Sequence, residues 1–352
     1  MIDTPKKLDA YLPVLRRAAW VAVDTEADSL HAYPEKVCLL QASTPEGDDL
    51  IDPLAEIDLE PLFDELSHHE LIMHGSDYDL RLFRKHHGFV PTAIFDTMLA
   101  ARLLGHTQFG LGNLAERCLG VHLEKGPQKA NWALRPLTER MEAYARNDTR
   151  HLKPLADGLR RDLDDKGRLD WHRECCERLI EECARERSPD PDLVWRLKGS
   201  HLLGRPALAV LRELWYWRED EAVAANRPPF FVVSHEILVD VAVAASTGHP
   251  LDPVLPRHLS GRRRAGLLAA VDHALGLPPA DYPGFPRTIS RRATEGERRR
   301  FVEIQKDRDA RAAELGIDPT LIASRSALSD LAHDWDRYSL DLMSWQRRLL
   351  AC

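Results

Sequence analysis

The sequence predicts an α/β domain, with a mixed sheet flanked by helices, followed by all-α helical domains. Three observations support this class. Over the first 150 residues, short apolar runs alternate with helical patterns, which is typical of a sheet covered by helices. From about Leu137 onward the strand patterns stop and helical spacing continues. A length of 352 residues suits two or three such domains.

The elements of the first region are separated by turn residues. An opening meander of three strands precedes an alternation of helices and strands, and this order implies a mixed sheet. In chain order the predicted elements are strands Trp20–Val23, Lys36–Ala42 and Asp49–Asp52, helix Leu59–Leu66, strand Leu71–Met73, helix Tyr78–Lys85, strand Ala93–Phe95 and helix Met98–Leu104.

The second half is predicted to be helical throughout. Residues 137–187 are rich in Arg, Glu, Leu and Ala at helical spacing, and SPDPD at 188–192 is predicted to be a linker. Residues 193–280 form the next helical region. The Pro-rich break at 277–286 precedes a last helical segment over about 291–351.

Composition excludes several classes of protein. Charged residues make up 30% without a long block of one sign, which argues against disorder. No apolar stretch can span a bilayer and the N-terminus has no apolar export signal, so a cytoplasmic protein with no membrane partner is expected. The six cysteines include no CxxC pair, which disfavours a zinc site.

Charge is unevenly distributed along the chain. Residues 1–195 carry 25 basic and 36 acidic side chains, whereas residues 196–352 carry 23 and 20. A basic segment over 287–311 fits either contact with phosphates or a solvated helix face. Its basic residues are Arg287, Arg291, Arg292, Arg298, Arg299, Arg300, Lys306, Arg308 and Arg311.

Acidic residues occupy three places where they could converge. In WVAVDTEAD, Asp24 and Glu26 project from the same face of a strand, although a strand running into solvent would look the same. In LIMHGSDYDLRLF, Asp77 could cap a helix and Asp79 could complement its dipole. In YARND, Tyr144 and Asp148 share one helix face, as an exposed pair also would.

Taken together, the four carboxylates Asp24, Glu26, Asp79 and Asp148 are more specific than any one motif. Two divalent ions held about 4 Å apart by such carboxylates form the usual clamp for phosphodiester hydrolysis. Oxygen-only ligands favour Mg²⁺ or Mn²⁺ over zinc. The sequence therefore predicts a site for two divalent metal ions, Mg²⁺ or Mn²⁺, and no small-molecule cofactor.

These motifs resemble those of the DEDD superfamily of 3′–5′ exonucleases, and within it the ribonuclease D family. DTE with LLQ at 39–41, HGSDYDL and YxxxD match the three exonuclease motifs, and the similarity continues through FDTMLAARLLG, LGNLAERCLG and RPLTERMEAYARND. It covers about 130 contiguous residues. The implied fold is an RNase H-like exonuclease domain.

The resemblance also implies roles for the five catalytic residues. Asp24 would contact both metal ions, while Glu26 and Asp148 would bind the ion that activates the attacking water. Asp79, chosen over Asp77 because it follows His74 by five residues, would serve the other ion mainly through water. Tyr144 would orient the attacking water. Ala143 stands where the histidine-type subclass has its His, so the chain is of the tyrosine type.

Three further residues are implied to bind substrate, namely His74, Lys125 and Trp132. Asn131 stands before Trp132, where ribonuclease D more often has Asp, and this departure concerns substrate positioning. Residues 205–242 resemble the helicase-and-RNase-D C-terminal (HRDC) domain, and the last helical segment resembles its second, more divergent copy. The predicted domains are therefore 1–187, 193–280 and 287–352.

The implied activity is metal-dependent removal of nucleoside 5′-monophosphates from RNA 3′ ends. By resemblance, the partners are tRNA precursors and other small structured RNAs, and a monomer is expected. A 3′–5′ DNA exonuclease of repair type would use the same four acids, and a catalytically silent RNA-binding adaptor is the non-enzyme alternative. Because every motif lies before residue 149, deletion of 196–352 is expected to leave the metal site assembled.

Overall fold

The structure, a computed structural model, describes residues 1–185, 190–257, 259–284 and 292–351. The chain divides into two units. The first comprises Met1–Ala27, Val37–Arg185 and Arg291–Cys352, and the second comprises Asp28–Lys36 and Glu186–Ser290. Among the described helices, none combines the length and the apolar character that crossing a membrane requires.

The first unit is built on a five-stranded mixed sheet with the strand order β3-β2-β1-β4-β5. Neighbouring strands are antiparallel from β3 to β1 and parallel from β1 to β5. The mixed sheet is confirmed, and each predicted strand overlaps an observed one. The strands are β1 Val21–Ala27, β2 Val37–Thr44, β3 Gly47–Ile51, β4 Glu70–Met73 and β5 Ala93–Asp96.

Helices cover both faces of this sheet. The three predicted helices between β3 and residue 104 are confirmed, and a turn of π-helix follows at Ala115–Leu119. Thr4 caps the first helix by accepting a hydrogen bond from the Lys7 amide, and Pro5 occupies its first position. The helices are α1 Pro5–Arg17, α2 Glu60–Ser67, α3 Asp77–His87, α4 Thr97–Leu103, α5 Leu111–Leu114, α6 Glu139–Arg150, α7 Leu152–Asp165 and α8 Leu169–Ala184.

Every regular element among the described residues of the second unit is a helix. Its core includes Leu211, Leu214 and Leu238, which are fully buried. Tyr33, from the segment between β1 and β2, packs against this core and hydrogen-bonds through its hydroxyl to Glu219. The helices are α9 Arg205–Ala225, α10 Pro229–Val232, α11 His235–Ser246 and α12 Gly261–Gly276.

The C-terminal helices belong to the first unit. Trp345 and Leu328 lie in the same apolar cluster as Leu155 and Leu159 of α7. Thr294 and Glu297 form a reciprocal capping box that starts the first of these helices. The helices are α13 Glu295–Leu315, α14 Pro319–Ile322, α15 Arg325–His333, α16 Trp335–Tyr338 and α17 Ser344–Leu350.

Three contacts show how closely these helices are joined to the first unit. The indole rings of Trp171 and Trp345 are stacked, with centroids 4.7 Å apart. The guanidinium of Arg168 donates to the carbonyls of Leu103 and Leu315 at 2.6 and 2.7 Å. A Cβ on Gly105 would lie 2.0 Å from the carbonyl oxygen at the end of α13. Because of these contacts, the C-terminal helices are part of the core of the first unit.

The structure thus groups the chain differently from the three predicted domains. A separate domain over 287–352 was expected because its helices have apolar faces of their own, but those faces are buried against α7 and α8. Deletion of 196–352 would expose this cluster, so from the structure we predict that the first 195 residues do not fold alone. The relation of this segment to a second HRDC copy stays a prediction.

The predicted basic segment is only partly available to a ligand. Arg298, Arg299 and Arg300 are exposed on α13. Arg308 is buried and donates to the carbonyl of Ala323 at 2.9 Å, so a phosphate contact by this side chain is corrected to a structural role. Arg287 and Arg291, like part of the predicted linker at 188–192, lie outside the described residues.

Candidate functional site

Asp24 and Glu26 lie on β1, beside β2. Their antiparallel partners across the ladder are Gln41 and Leu39, respectively. Because side chains alternate along a strand, all four point to the same face of the sheet. Leu39 packs there with apolar residues of α6, so this is the face that α6 covers. Both carboxylates are half-buried.

Asp79 reaches this region from the first turn of α3, which follows β4. It is buried, and the hydroxyl of Thr25 on β1 donates to its carboxylate. Asp77 points elsewhere, because it is exposed and pairs with Arg81 at 2.8 Å. The two acids of this motif therefore have different surroundings, and only Asp79 lies beside β1.

The turn that carries Asp79 is held by Asp96, a residue that the motifs of the sequence did not single out. The fully buried carboxylate of Asp96 accepts hydrogen bonds from the amide and hydroxyl of Ser76, both at 2.8 Å. It also accepts from the amides of Met98 and Leu99 and so caps α4. The signal was an Asp at the junction of a strand and a helix, which is a typical N-cap position.

Tyr144 and Asp148 lie one turn apart on α6, as their spacing predicted. Their side chains are hydrogen-bonded to each other, and the Tyr144 hydroxyl also bonds to the side chain of Gln128. Thr149 and Ser43 join α6 to β2 through hydroxyl groups 2.7 Å apart. Ser43 is the cross-strand partner of Ala22, so this contact joins α6 to the sheet two residues before Asp24 along β1.

The four carboxylates interact electrostatically. Burial, followed by the negative charges of Asp79, Asp148 and Glu26, raises the pKa of Asp24 well above its ordinary value. Burial and the charges of Asp148 and Asp79 raise the pKa of Glu26 to about 9. Burial raises the pKa of Asp148 to about 7 and that of Asp79 to about 6. None of the four forms an ion pair with a described residue.

The donor set fits divalent cations by its chemistry. Four carboxylates that repel one another and form no ion pair with a described residue supply the hard oxygen ligands that Mg²⁺ and Mn²⁺ prefer. As placed in the described part of the chain, no three His, Cys, Asp or Glu side chains are arranged to hold an ion. The side chains would therefore have to converge further when ions bind.

An open cleft of about 710 Å³ lies beside Tyr144 and Asp148. Lys125 and Gly126 belong to the loop on one side of it, and Gly112 and Asn113 belong to α5 on the other. A Cβ on Gly126 would lie 1.5 Å from an atom of the Tyr144 ring, so only glycine permits this approach of loop and ring. Of the four carboxylates, Asp148 is a lining residue of this cleft.

The three predicted substrate-binding residues have different environments. Lys125 is exposed in the cleft wall. His74 is half-buried with Nδ1 2.8 Å from the Thr97 hydroxyl, which itself donates to the Met73 carbonyl; the ring must therefore donate from Nδ1. Burial lowers the His74 pKa and keeps the ring neutral. Substrate contacts for Lys125 and His74 stay predictions.

Trp132 is placed differently from the prediction. Its side chain is 0% exposed and packs with Leu39, Leu137 and Met141, its ring centroid 6.1 Å from that of Tyr144. A residue with no exposed atom cannot contact a substrate in this arrangement, so the predicted contact is corrected to support of the Tyr144 ring. The sequence shows only an aromatic residue in a polar loop, and this pattern does not distinguish substrate contact from interior packing.

The chain is similar to known proteins in both of its parts. Residues 1–164 match a family model described as 3′–5′ exonuclease, and residues 207–248 match the HRDC domain. Ribonuclease D of Granulibacter bethesdensis is 31% identical over an alignment covering 99% of this chain and 89% of the relative. Ribonuclease D of Zymomonas mobilis is 34% identical, with coverage of 80% and 74%.

Solved structures agree as well. The crystal structure of Escherichia coli RNase D superposes with a TM-score of 0.74 at 27% identity, covering 97% of this chain and 91% of that one. A protein from Bifidobacterium adolescentis superposes with a TM-score of 0.85 at 24% identity, covering 100% and 94%, and supports the fold.

Proposed function

The chain belongs to the ribonuclease D family and is a 3′–5′ exoribonuclease, and from that premise we propose that it trims structured RNAs by metal-dependent hydrolysis. The proposed substrates are tRNA precursors and other small structured RNAs. The proposed products are nucleoside 5′-monophosphates released from the RNA 3′ end. The E. coli relative is described as an exoribonuclease involved in structured RNA processing, which supports this substrate class.

One observation carries the proposal: Asp24, Glu26, Asp79 and Asp148 come from three elements and repel one another, and Asp148 lines an open cleft. These residues would hold two divalent ions, Mg²⁺ or Mn²⁺. Bound there, the ions would supply a nucleophilic water at neutral pH and neutralise charge on the leaving 3′-oxygen. The negative site would also become able to accept an anionic strand.

The remaining chemistry belongs to side chains of the cleft. The Tyr144 hydroxyl, held by Asp148 and Gln128, would orient the attacking water toward the last phosphodiester. Trp132 and Gly126 both lie against the tyrosine ring and so limit its movement. Lys125 would meet phosphate from the cleft wall. The second unit, which contains the HRDC match, would bind the body of a structured RNA and so raise affinity.

The test is a nuclease assay on a 5′-labelled, 3′-extended tRNA precursor with Mg²⁺, with Mn²⁺ or with chelator. We expect a ladder of products shortened from the 3′ end only when an ion is present, with 5′-monophosphates released. A matched DNA strand should be hydrolysed more slowly. Asp24→Asn is the control, because it keeps the shape of the side chain and removes its charge; hydrolysis should fall by at least about 100-fold.

Three results would contradict the proposal. Equal shortening in chelator would exclude metal dependence, and a precursor left intact while short unstructured RNA is degraded would exclude the substrate class. Near-normal turnover by Asp24→Asn would show that the carboxylates are not the catalytic site.

A further inference from the structure

Gln41 is an unusual residue for its position. It lies in the middle of β2, between the apolar Leu40 and Ala42, and is 0% exposed. Neither its amide nitrogen nor its amide oxygen has a hydrogen-bond partner among the described residues. An unsatisfied buried amide costs about 1–3 kcal/mol, and an apolar side chain of the same size would avoid that cost.

The register of the sheet places this amide at the catalytic acids. Gln41 is the direct cross-strand partner of Asp24, and its neighbours on the same face are Leu39 and Ser43. Side chains directly opposite in an antiparallel pair have Cβ atoms about 5 Å apart, within reach of a hydrogen bond between an amide and a carboxylate. Its partner on the other side, Leu50, offers no polar group.

The third side of Gln41 is covered by α6. Leu39 and Ser43, which flank Gln41 on this face, contact Ala145 and Thr149 of that helix. Ser43 is satisfied by Asp48 and Thr149, each 2.7 Å away, whereas Gln41 between them has no such partner among the described residues. The unsatisfied amide therefore lies between the strand that carries Asp24 and the helix that carries Asp148.

We propose that Gln41 is a positioning residue of the active site: its amide N–H donates to the Asp24 carboxylate when the acids converge, and so fixes the orientation of that carboxylate. A neutral donor suits this position because it orients a carboxylate without adding a fixed positive charge that would compete with a metal ion for that carboxylate. This inference rests on the proposed function in taking Asp24 as a member of the catalytic site.

The test uses the full chain and a short unstructured RNA, so that it does not depend on the proposed tRNA substrate. Gln41→Met removes the amide and keeps the side-chain size, and Gln41→Glu replaces the donor by an oxygen. Both should lower kcat by about 10- to 100-fold with little change in KM. The melting temperature of ion-free Gln41→Met should be equal to or above that of the wild type, because an unsatisfied polar group has been removed.

Thr44→Val is the matched control, since it removes a buried hydroxyl from the same strand on its other face, away from α6 and the acids. It should lower the melting temperature and leave kcat near the wild-type value. A wild-type kcat for Gln41→Met would overturn the role of Gln41. A lower kcat together with a lower melting temperature would also overturn it, because the loss of activity would then follow from a loss of stability. Asp24→Asn in the same assay separates the two hypotheses: if it remains active, the catalytic site is wrong, and if it is inactive while Gln41→Met is fully active, only the positioning role is wrong.

Discussion

At the scale of single residues, Tyr144 connects the packed interior to the cleft. Its ring rests near Trp132 and against Gly126, while its hydroxyl is hydrogen-bonded to Asp148 and Gln128. Burial raises the pKa of this hydroxyl, with the Asp148 charge adding to the effect, so it remains protonated and able to donate. A protonated hydroxyl held in this way can orient a water molecule.

Tyr144→Phe keeps the ring packing and removes only the hydroxyl. We expect kcat to fall roughly 10- to 100-fold, the range typical of a group that assists proton transfer or water positioning. KM should change little, because the hydroxyl acts on the attacking water and not on substrate affinity. Steady-state kinetics on short RNA measure both constants. A raised KM at unchanged kcat would contradict this role.

The raised pKa values of the carboxylates predict how the ion-free protein responds to pH. Asp79, Asp148 and Glu26 titrate near 6, 7 and 9 when folded, against about 4 when unfolded. The folded state therefore binds more protons over this range, and its stability falls as pH rises from about 4 to 9. In chelator, the melting temperature should drop by ~5 °C or more between pH 5 and pH 8.

Scanning calorimetry measures this slope, and two comparisons identify its source. Glu26→Gln should flatten the upper part of the curve, from about pH 7 to 9. Added Mg²⁺ should stabilise the protein most at high pH, because ion binding requires deprotonated carboxylates. A slope unchanged by Glu26→Gln would show that other groups dominate.

At the scale of elements, the loop that carries Lys125 and Gly126 is adjusted to α6 by the absence of one methyl group. Gly126→Ala would place a Cβ 1.5 Å from the Tyr144 ring, and so displace the loop or the ring. Misplacement of a catalytic group by about 1 Å can cost roughly 100-fold, so we expect kcat/KM to fall by at least about 10-fold.

Gly112→Ala provides the matched control for this loop. Gly112 lines the same cleft from α5, and a Cβ added there would meet no atom within 4 Å beyond its own helix. Activity should stay near the wild-type value, and helix propensity should favour the alanine. Equal loss of activity in both variants would mean that the cleft, and not contact with Tyr144, is sensitive to added volume.

The first turns of α13 present three neighbouring arginines, Arg298, Arg299 and Arg300, all exposed. They form no ion pair with a described residue. Replacing all three by Gln should weaken RNA binding and make it less dependent on salt, lowering the slope of log K against log[salt] by up to about 2 to 3. Binding measured across a series of salt concentrations gives this slope; an unchanged value would assign the arginines to a solvated face.

At the scale of the whole molecule, the C-terminal helices complete the core of the first unit, which carries the exonuclease motifs and is called the exonuclease unit below. Ile322, Leu328, Leu331 and Trp345 are buried there. Each such side chain contributes about 1.5–3 kcal/mol by burial, so that four of them approach the net stability of a typical domain, about 5–15 kcal/mol. A chain that ends at residue 195 should therefore be unfolded or aggregated and inactive.

Replacement of residues 190–284 by a flexible linker should have the opposite outcome. It removes the described HRDC region and keeps both parts of the exonuclease unit, so ion-dependent hydrolysis of short RNA should persist. Circular dichroism and thermal melting of the two variants, followed by the nuclease assay, make the comparison. A folded, active chain ending at residue 195 would contradict the role assigned to the C-terminal helices.

The sequence by itself determined the local elements and the acids of the site. Alternating apolar runs located β1 to β5, and helical spacing located α2, α3 and α4, because burial of one face imposes the period of each element. The same alternation put Asp24 and Glu26 on one face of β1. The other members of the candidate site were predicted from a family resemblance, which rests on the spacing of Asp79 from His74 and of Asp148 from Tyr144.

Only the tertiary structure decided what each face packs against. The C-terminal helices have apolar stripes that a separate domain would also bury, and contacts such as the packing of Trp345 on Trp171 assign them to the first unit. The packing of Trp132 near Tyr144 was likewise visible only in the tertiary structure. So was the position of Gln41 opposite Asp24, where it has no hydrogen-bond partner among the described residues. Periodicity reveals that a side chain is turned inward, but the residues it meets come from elements far away in the chain.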